Sequence, residues 1–341
     1  MKIAIVTLYD YYNYGSFLQA YAMQQYLADK GHEVYFVRTQ TVTRRIRRAF
    51  PANVSFKSLF DIAKKLLRFQ KDFSRIRQIK IDDLHKKGIE AVIIGSDELW
   101  NADNDSFNQQ PFYYGVGYED IPTIVYAMSL GNGNRTTLQK KPYAVPAIKN
   151  LKRIYARDEN TKRTLEEVVG HNIDLVCDPT LLLDRSFYDA LPEYKRKKPY
   201  ILLYSYNMPE FVGEYVKRYA KENHMEICAV CFRNPVADTF INCAPTDFPG
   251  IIKNAALVIT TTFHGTLFSI LYGKKLIVLP YAQKTTDYIE MLSLNQIILS
   301  NSADYSAFKK HADDIVDYEA ANKYILGLRE KSQEVLDSII H

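Results

Sequence analysis

No apolar run in the sequence approaches the length of a membrane-spanning helix. The chain opens on MKIAIVTLYD, with one lysine, a short apolar run and then polar and aromatic residues. It has no small-residue cleavage site of the kind that ends a secretory leader. The expectation is a first core strand of a cytoplasmic protein. Cysteine is scarce, with Cys177, Cys228, Cys231 and Cys243 the only four in 341 residues. With no secretory leader expected, a disulfide framework is not expected from so few thiols. Cys228 and Cys231 form a C-x-x-C, but it lies inside the strand-like EICAVCF at 226–232 rather than at a helix start, and no second pair accompanies it. Buried core thiols are therefore expected, and no metal site. The glycine motifs that cradle phosphates are missing too. Neither G-x-G-x-x-G nor G-x-x-x-x-G-K-[ST] occurs, which weakens dinucleotide and P-loop readings.

What is present is globular: 47% hydrophobic and 24% charged residues, without low-complexity runs, in a chain long enough for two ordinary domains. The net charge of +5 is uneven, because residues 44–87 hold fourteen Lys/Arg and four Asp, and the remainder is about −5. RRIRRAF at 44–50 and KKLLRFQKDFSRIRQIK at 64–80 read as amphipathic helix. That face is either simply solvated or attracted to an anionic surface, a lipid headgroup layer or a lipid-linked phosphosugar. No nucleic-acid-binding motif accompanies the charge.

Strand and helix patterns alternate along the chain. Runs at 2–9, 33–39, 90–97, 123–131, 153–157 and 173–183 read as strands of a first half. Runs at 199–206, 226–232, 256–261 and 276–280 read as strands of a second. Helical spacing fills 17–31, 159–170, 209–223, 247–255, 262–275 and 316–340. The fold class expected is α/β, two Rossmann-like domains facing a cleft. The first domain is placed at 1–184, with a basic helical insert at about 44–87. The second is placed at 199–315, followed by a C-terminal helix at 316–341, and the charged stretch 184–198 is expected as linker.

In open α/β sheets ligands bind beyond the carboxyl ends of strands. The loops to watch are therefore 13–16, 95–101, 129–134, 157–160, 178–180 and 261–266. The segment TTTFHGTLFSILYGKK at 260–275 sets His264 between an apolar strand and an apolar helix. Helix N-terminal N–H groups and the helix dipole favour an anion there, Gly265 would admit close approach, and the threonines offer hydroxyls. His264 could hold or deliver a proton near neutral pH. The plainer alternative is a capped helix with a structural histidine. Arg157 suits a carboxylate or phosphate, or else pairs with an acid of the Asp158–Glu159 helix start. Lys284 could be a second cation. Asp97 could accept from sugar hydroxyls and Trp100, the only tryptophan, could stack on a sugar ring, unless they are an N-cap and a core residue.

Together these stretches resemble the polysaccharide pyruvyl transferase family. The matching pieces are NYGSFLQAYAMQQYL (13–27), IIGSDELWN (93–101), YAMSLG (126–131), YARDENT (155–161), DPTLLL (178–183) and VITTTFHGTLFSILYGKK (258–275). They stand in the family's order and span nearly the whole chain. Glu98 stands where Gln is commoner, and Lys284 where Arg would be expected. The resemblance implies a GT-B-like fold and transfer of the pyruvyl group of phosphoenolpyruvate onto a saccharide as a ketal, with release of phosphate and no cofactor. It maps the catalytic pair onto His264 and Arg157. The donor would bind at Arg157, Thr262, Phe263, His264, Gly265, Thr266 and Lys284. The acceptor would bind at Asn13, Tyr14, Gly15, Ser96, Asp97, Trp100 and Asn101. Anions of the donor would raise the His264 pKa and keep the acid loaded. A lipid-linked acceptor and peripheral contact with an anionic membrane surface are further expectations. A nucleotide-sugar GT-B glycosyltransferase and a catalytically silent saccharide-binding protein remain the alternatives.

Overall fold

Apolar strands separated by helices pair in parallel through crossovers, and every strand pairing here is parallel. The structure, a computed structural model, describes residues 1–48, 56–104, 107, 109–281 and 283–338. The first sheet contains β1 (Lys2–Val6), β2 (Glu33–Val37), β3 (Gln78–Ile79), β4 (Ala91–Ile94), β5 (Thr123–Met128), β6 (Ile154–Ala156) and β7 (Asp174–Leu175), in the order β3-β2-β1-β4-β5-β6-β7. The second contains β8 (Tyr200–Tyr204), β9 (Glu226–Val230), β10 (Thr239–Ile241), β11 (Leu257–Thr260) and β12 (Leu276–Val278), in the order β10-β9-β8-β11-β12. The central strands are buried along their whole length, as helices on both faces demand. This is the α/β architecture of two parallel sheets expected above.

Each sheet reverses its order once, between β1 and β4 in the first and between β8 and β11 in the second. A crevice opens at such a switch point, because neighbouring strands send their helices to opposite faces. The loops leaving these four strands are 7–13, 95–101, 205–209 and 261–262, and together with the first turns of the helices that follow they carry most of the candidate residues.

Several local expectations change. The run 173–183 forms only a two-residue strand. Pro179 has no N–H for a ladder, and the Asp178 side chain accepts from Thr180 N, so the chain turns into the 3₁₀ segment Pro179–Leu181. The stretch 184–198 is not bare linker. Asp184 caps a helix, Arg185–Asp189, whose Tyr188 is buried and donates to the Thr180 carbonyl. The basic region forms helices α2 (Val42–Arg48) and α3 (Phe56–Phe73), after helix α1 (Tyr14–Asp29), but it then leaves helix and supplies the edge strand β3. Within α3, Phe69 and Phe73 are buried, while Lys64, Arg68, Lys71 and Leu67 face out, Leu67 with 73% exposure. Asp72 on α3 accepts from Thr246 N and Oγ1 of the second domain, at 2.9 and 3.1 Å, so the insert ties the two bodies together. The last helix, Glu319–Asp337, returns to the first sheet. Tyr26 donates to Asp337 at 2.8 Å, Lys331 pairs with Asp174, and Ser332 Oγ accepts from Cys177 N. All four cysteines are buried and unpaired. Among the described residues no helix is long and apolar enough to cross a membrane.

Candidate active site

The strand-exit loops of both sheets meet over a cavity of about 400 Å³, lined from the first domain by Asn13, Ser16, Asp97 and Glu98, and from the second by Tyr206, Thr262, His264 and Lys284. A more open depression of about 850 Å³ lies at the start of β8 and β9, lined by surface lysines such as Lys198 and Lys221. It is on the edge opposite the strand exits and gathers none of the buried groups described next, so the smaller cavity is the better candidate.

Arg157 follows β6 and is buried. It does not pair with the acids beside it in sequence, because Asp158 spends its side chain capping the helix Glu159–Val169. Arg157 Nη1 instead donates to Asp178 Oδ2 at 2.7 Å, and Nη2 stands 3.8 Å from Asp97 Oδ1. The guanidinium lies 4.5 Å from the Phe263 ring centre, a cation–π contact across the domains. Nε and Nη2 have no hydrogen-bond partner although they are buried. Asp178, just past the last strand, also accepts from Thr180 N and Oγ1 at 3.0 and 2.6 Å. Burial would raise its carboxyl, but His264, Arg157 and Thr180 together hold it below the ordinary carboxylate range.

His264 is on the first turn of the helix Phe263–Leu271, where its Nε2 is 3.7 Å from Asp178 Oδ2 and has no hydrogen-bond partner. Its pKa lies below the ordinary histidine value. Burial is the main cause, Asp178 and Asp97 oppose it, and Arg157 and Lys284 reinforce it. The protein's own groups therefore hold the imidazole toward its neutral form. Gly15 explains how the ring fits. A Cβ at Gly15 would come within 2.1 Å of His264 Nδ1, so only glycine lets the start of α1 press against the imidazole. Asn13 starts that helix, its Oδ1 accepting from Gly15 N and Ser16 N at 2.9 and 3.3 Å.

The threonine segment is not an open cradle. Thr262 Oγ1 caps Gly265 N at 3.1 Å, and Thr260 Oγ1 donates to the Tyr204 carbonyl at 2.7 Å. Thr266 is buried, and its hydroxyl turns back to the Thr262 carbonyl at 3.0 Å. A Cβ on Gly265 would meet Thr260 Oγ1 at 2.4 Å and Thr262 Oγ1 at 2.6 Å. Gly265 thus makes room for the threonine hydroxyls, not for a ligand. Of the segment, Thr261, Thr262, Phe263 and His264 line the cavity.

Asp97 follows β4 in the left-handed region, at φ 67°, a conformation aspartate tolerates better than most residues. It accepts from Ser16 Oγ at 2.7 Å. Burial would raise its carboxyl, yet Lys284, Arg157, His264 and Ser16 bring it down to about 2. Lys284 forms a cross-domain ion pair with Glu98, which also accepts from Asn101 Nδ2 at 2.7 Å. Two acceptor-side expectations fail on burial. Trp100 has no exposed surface, stacks on Tyr114 and donates to the Tyr113 carbonyl at 2.7 Å, so it offers no face to a sugar. Tyr14 is buried between Phe69 and Phe248, with parallel rings on both sides, and is interdomain packing. Ser96 is buried and donates to the Ala127 carbonyl, and Asn101 is held by Glu98. Roles for Asp178, Ser16, Glu98 and Tyr206 were missed. Asp178, Ser16 and Glu98 stand in loops already singled out as strand exits and Tyr206 ends the predicted strand 199–206, but the partners that bring them to the site, such as Asp97 for Ser16 and Lys284 for Glu98, lie far along the chain.

Fold and site thus define a GT-B protein with a buried, charge-bearing centre between its two α/β domains. The family model described as polysaccharide pyruvyl transferase matches residues 13–283, taking in every candidate residue except Lys284. The chain belongs to the polysaccharide pyruvyl transferase family, a family of transferases. Among solved structures it is similar to S. aureus MnaA in a co-structure with UDP, with a TM-score of 0.53 and 14% identity over 96% of this chain and 97% of that one. It is also similar to the UDP-GlcNAc 2-epimerase of Methanocaldococcus jannaschii, with a TM-score of 0.56 and 10% identity over 94% of each chain. At these identities the likeness shows the fold alone. No curated protein matches the sequence significantly.

Proposed function

We propose that the protein moves the pyruvyl group of phosphoenolpyruvate onto a saccharide as a ketal with release of phosphate, in cell-surface or exopolysaccharide biosynthesis. The observation that carries this reading is the meeting of Arg157 and His264 across the cleft. Both are buried, and both keep nitrogens without a hydrogen-bond partner. Buried donors are left unpaired at a cost of about 1–3 kcal/mol each, and an anionic ligand would offset it. A donor with a carboxylate and a phosphate presents acceptors of that kind to a planar guanidinium.

His264 serves as the acid. A proton delivered to the methylene carbon of the donor turns it into a methyl group and leaves an oxocarbenium-like centre. One sugar hydroxyl adds there and loses its proton, which the now neutral imidazole can accept. Phosphate departs with its electron pair and takes up a proton, and a second hydroxyl closes the ketal. Two hydroxyl protons are released, and two are taken up by carbon and phosphate. The site sets the cations Arg157 and Lys284 against the carboxylates Asp97, Glu98 and Asp178. Donor anions placed among them add negative charge beside His264 and raise its pKa, so donor binding loads the acid that burial keeps neutral.

The outward basic face of α3 supports a lipid-linked acceptor presented at an anionic membrane surface, with the protein at the cytoplasmic face of that membrane. Flotation with anionic vesicles at low salt checks this, and absence of binding would remove it. The reaction itself is tested by phosphate release from phosphoenolpyruvate across a panel of free and lipid-linked saccharides. Release is expected with at least one acceptor. No release, together with thermal stabilisation by uridine or guanosine nucleotides alone, would point to a nucleotide-sugar glycosyltransferase. Glycan binding without release would point to a silent binding protein.

A further inference from the structure

With Trp100 enclosed in the core, the cleft needs another surface to hold a sugar ring. Among the described residues three tyrosines are exposed, Tyr206, Tyr281 and Tyr324. Two of them, Tyr206 at 45% and Tyr281 at 57%, line the same cavity as His264 and Lys284. Tyr206 leaves β8 and Tyr281 leaves β12, so both stand at strand exits of the second domain. Their rings stack with centres 5.7 Å apart and planes at 22°. Tyr206 in turn rests on Phe232, 4.1 Å away, and its N–H donates to Thr261 Oγ1 at 3.0 Å. From the first domain, Asn13 Nδ2 donates to the Tyr206 hydroxyl at 3.4 Å. The pair is therefore held from behind and from across the cleft, while about half of each tyrosine's surface, that of Tyr281 more than that of Tyr206, stays exposed.

We propose that Tyr206 and Tyr281 form the platform on which the acceptor's pyranose ring stacks, with Asn13 and Glu98 receiving its hydroxyls. The inference rests on the pyruvyl-transfer reading for the word acceptor, but not for the binding itself. A pyranose has a C–H face that is apolar and an equator of hydroxyls. Exposed aromatic faces cover the first, and amide and carboxylate groups at the rim take the second. Apolar rings left in water at a cavity mouth are costly unless something covers them part of the time. The carboxylates Asp97 and Glu98 line the same cavity, which disfavours a second anion there and favours a neutral polyol. A ring lying on the tyrosines shares the cavity with His264, where the hydroxyls must react.

Saturation-transfer NMR with the methyl glycosides of glucose, galactose, mannose and N-acetylmannosamine tests this on the full chain. At least one glycoside is expected to receive saturation on the C–H protons of one ring face, from the wild type and from Tyr281→Phe. The Tyr206→Ala/Tyr281→Ala double variant is expected to lose it while keeping the wild-type thermal midpoint and stabilisation by phosphoenolpyruvate. In turnover, the double variant should raise the acceptor KM about tenfold, the span of a ring-stacking contact, and leave the donor KM unchanged. Absence of saturation by the wild type, or equal saturation by the folded double variant, overturns the platform. A wild type that binds glycosides through these rings but releases no phosphate keeps the platform and removes the pyruvyl-transfer reading. Phosphate release with an unchanged acceptor KM in the double variant does the reverse.

Discussion

The two walls of the cleft are built differently. The first domain brings acids and one arginine bonded within their own wall, Asp178 to Arg157, Asp97 to Ser16, and Glu98 to Asn101, with only Arg157 Nε and Nη2 left over. The second brings a histidine whose Nε2 is left unpartnered, a lysine reaching over to Glu98, and exposed rings. The first wall is pre-organised by fixed charge, and the second supplies the groups whose state can change. A proton donor between fixed charges is tuned by whatever enters with it, because burial keeps the local dielectric low.

The sharpest way to break this contrast is at His264. His264→Gln is expected to lower donor-dependent phosphate release by about 10²–10⁴-fold, the range of a lost general acid. The pH profile tests the tuning. Activity that needs a protonated imidazole falls as pH rises through its pKa. The free protein's value is depressed, so kcat/KM for the donor should fall at lower pH than kcat, which reports the donor-bound state. Coincident limbs would mean that donor charge does not reach the histidine.

Gly15→Ala crosses from the first wall into the second. The added methyl would sit 2.1 Å from His264 Nδ1, so the ring must move. The expected loss is about 10²-fold in kcat with a stability cost of about 1–3 kcal/mol, read by turnover and thermal unfolding. Wild-type turnover would show that the imidazole's position in this structure is not the working one.

Glu98→Gln removes a charge of the first wall while keeping its shape. Lys284 would then be free to meet an anion, and the donor KM should fall several-fold with kcat little changed. A raised donor KM would assign Glu98 to donor binding as well. Trp100→Phe should affect function least. It strands the Tyr113 carbonyl, at about 1–3 kcal/mol of stability in chemical denaturation, and leaves the acceptor KM where it was.

The sequence by itself determined the central strands, their parallel pairing and most of the loops where function gathers, but not the short edge strands β3 and β10. Apolar runs and strand-to-helix junctions are local patterns, and the switch-point rule needs only their order. It also brought His264, Arg157 and Lys284 forward as chemically apt residues. Only the tertiary structure decided what each one touches. Asp178 is 21 residues from Arg157 along the chain, and Lys284 pairs with Glu98 across 186 residues and two domains. The same limit explains the misjudged residues. Trp100 and Thr266 have the side chains of ligand contacts, but burial and hydrogen bonding turned them inward, and the space beside Gly265 is taken by the Thr260 and Thr262 hydroxyls. Exposure is set by packing from distant segments, and no local pattern carries it.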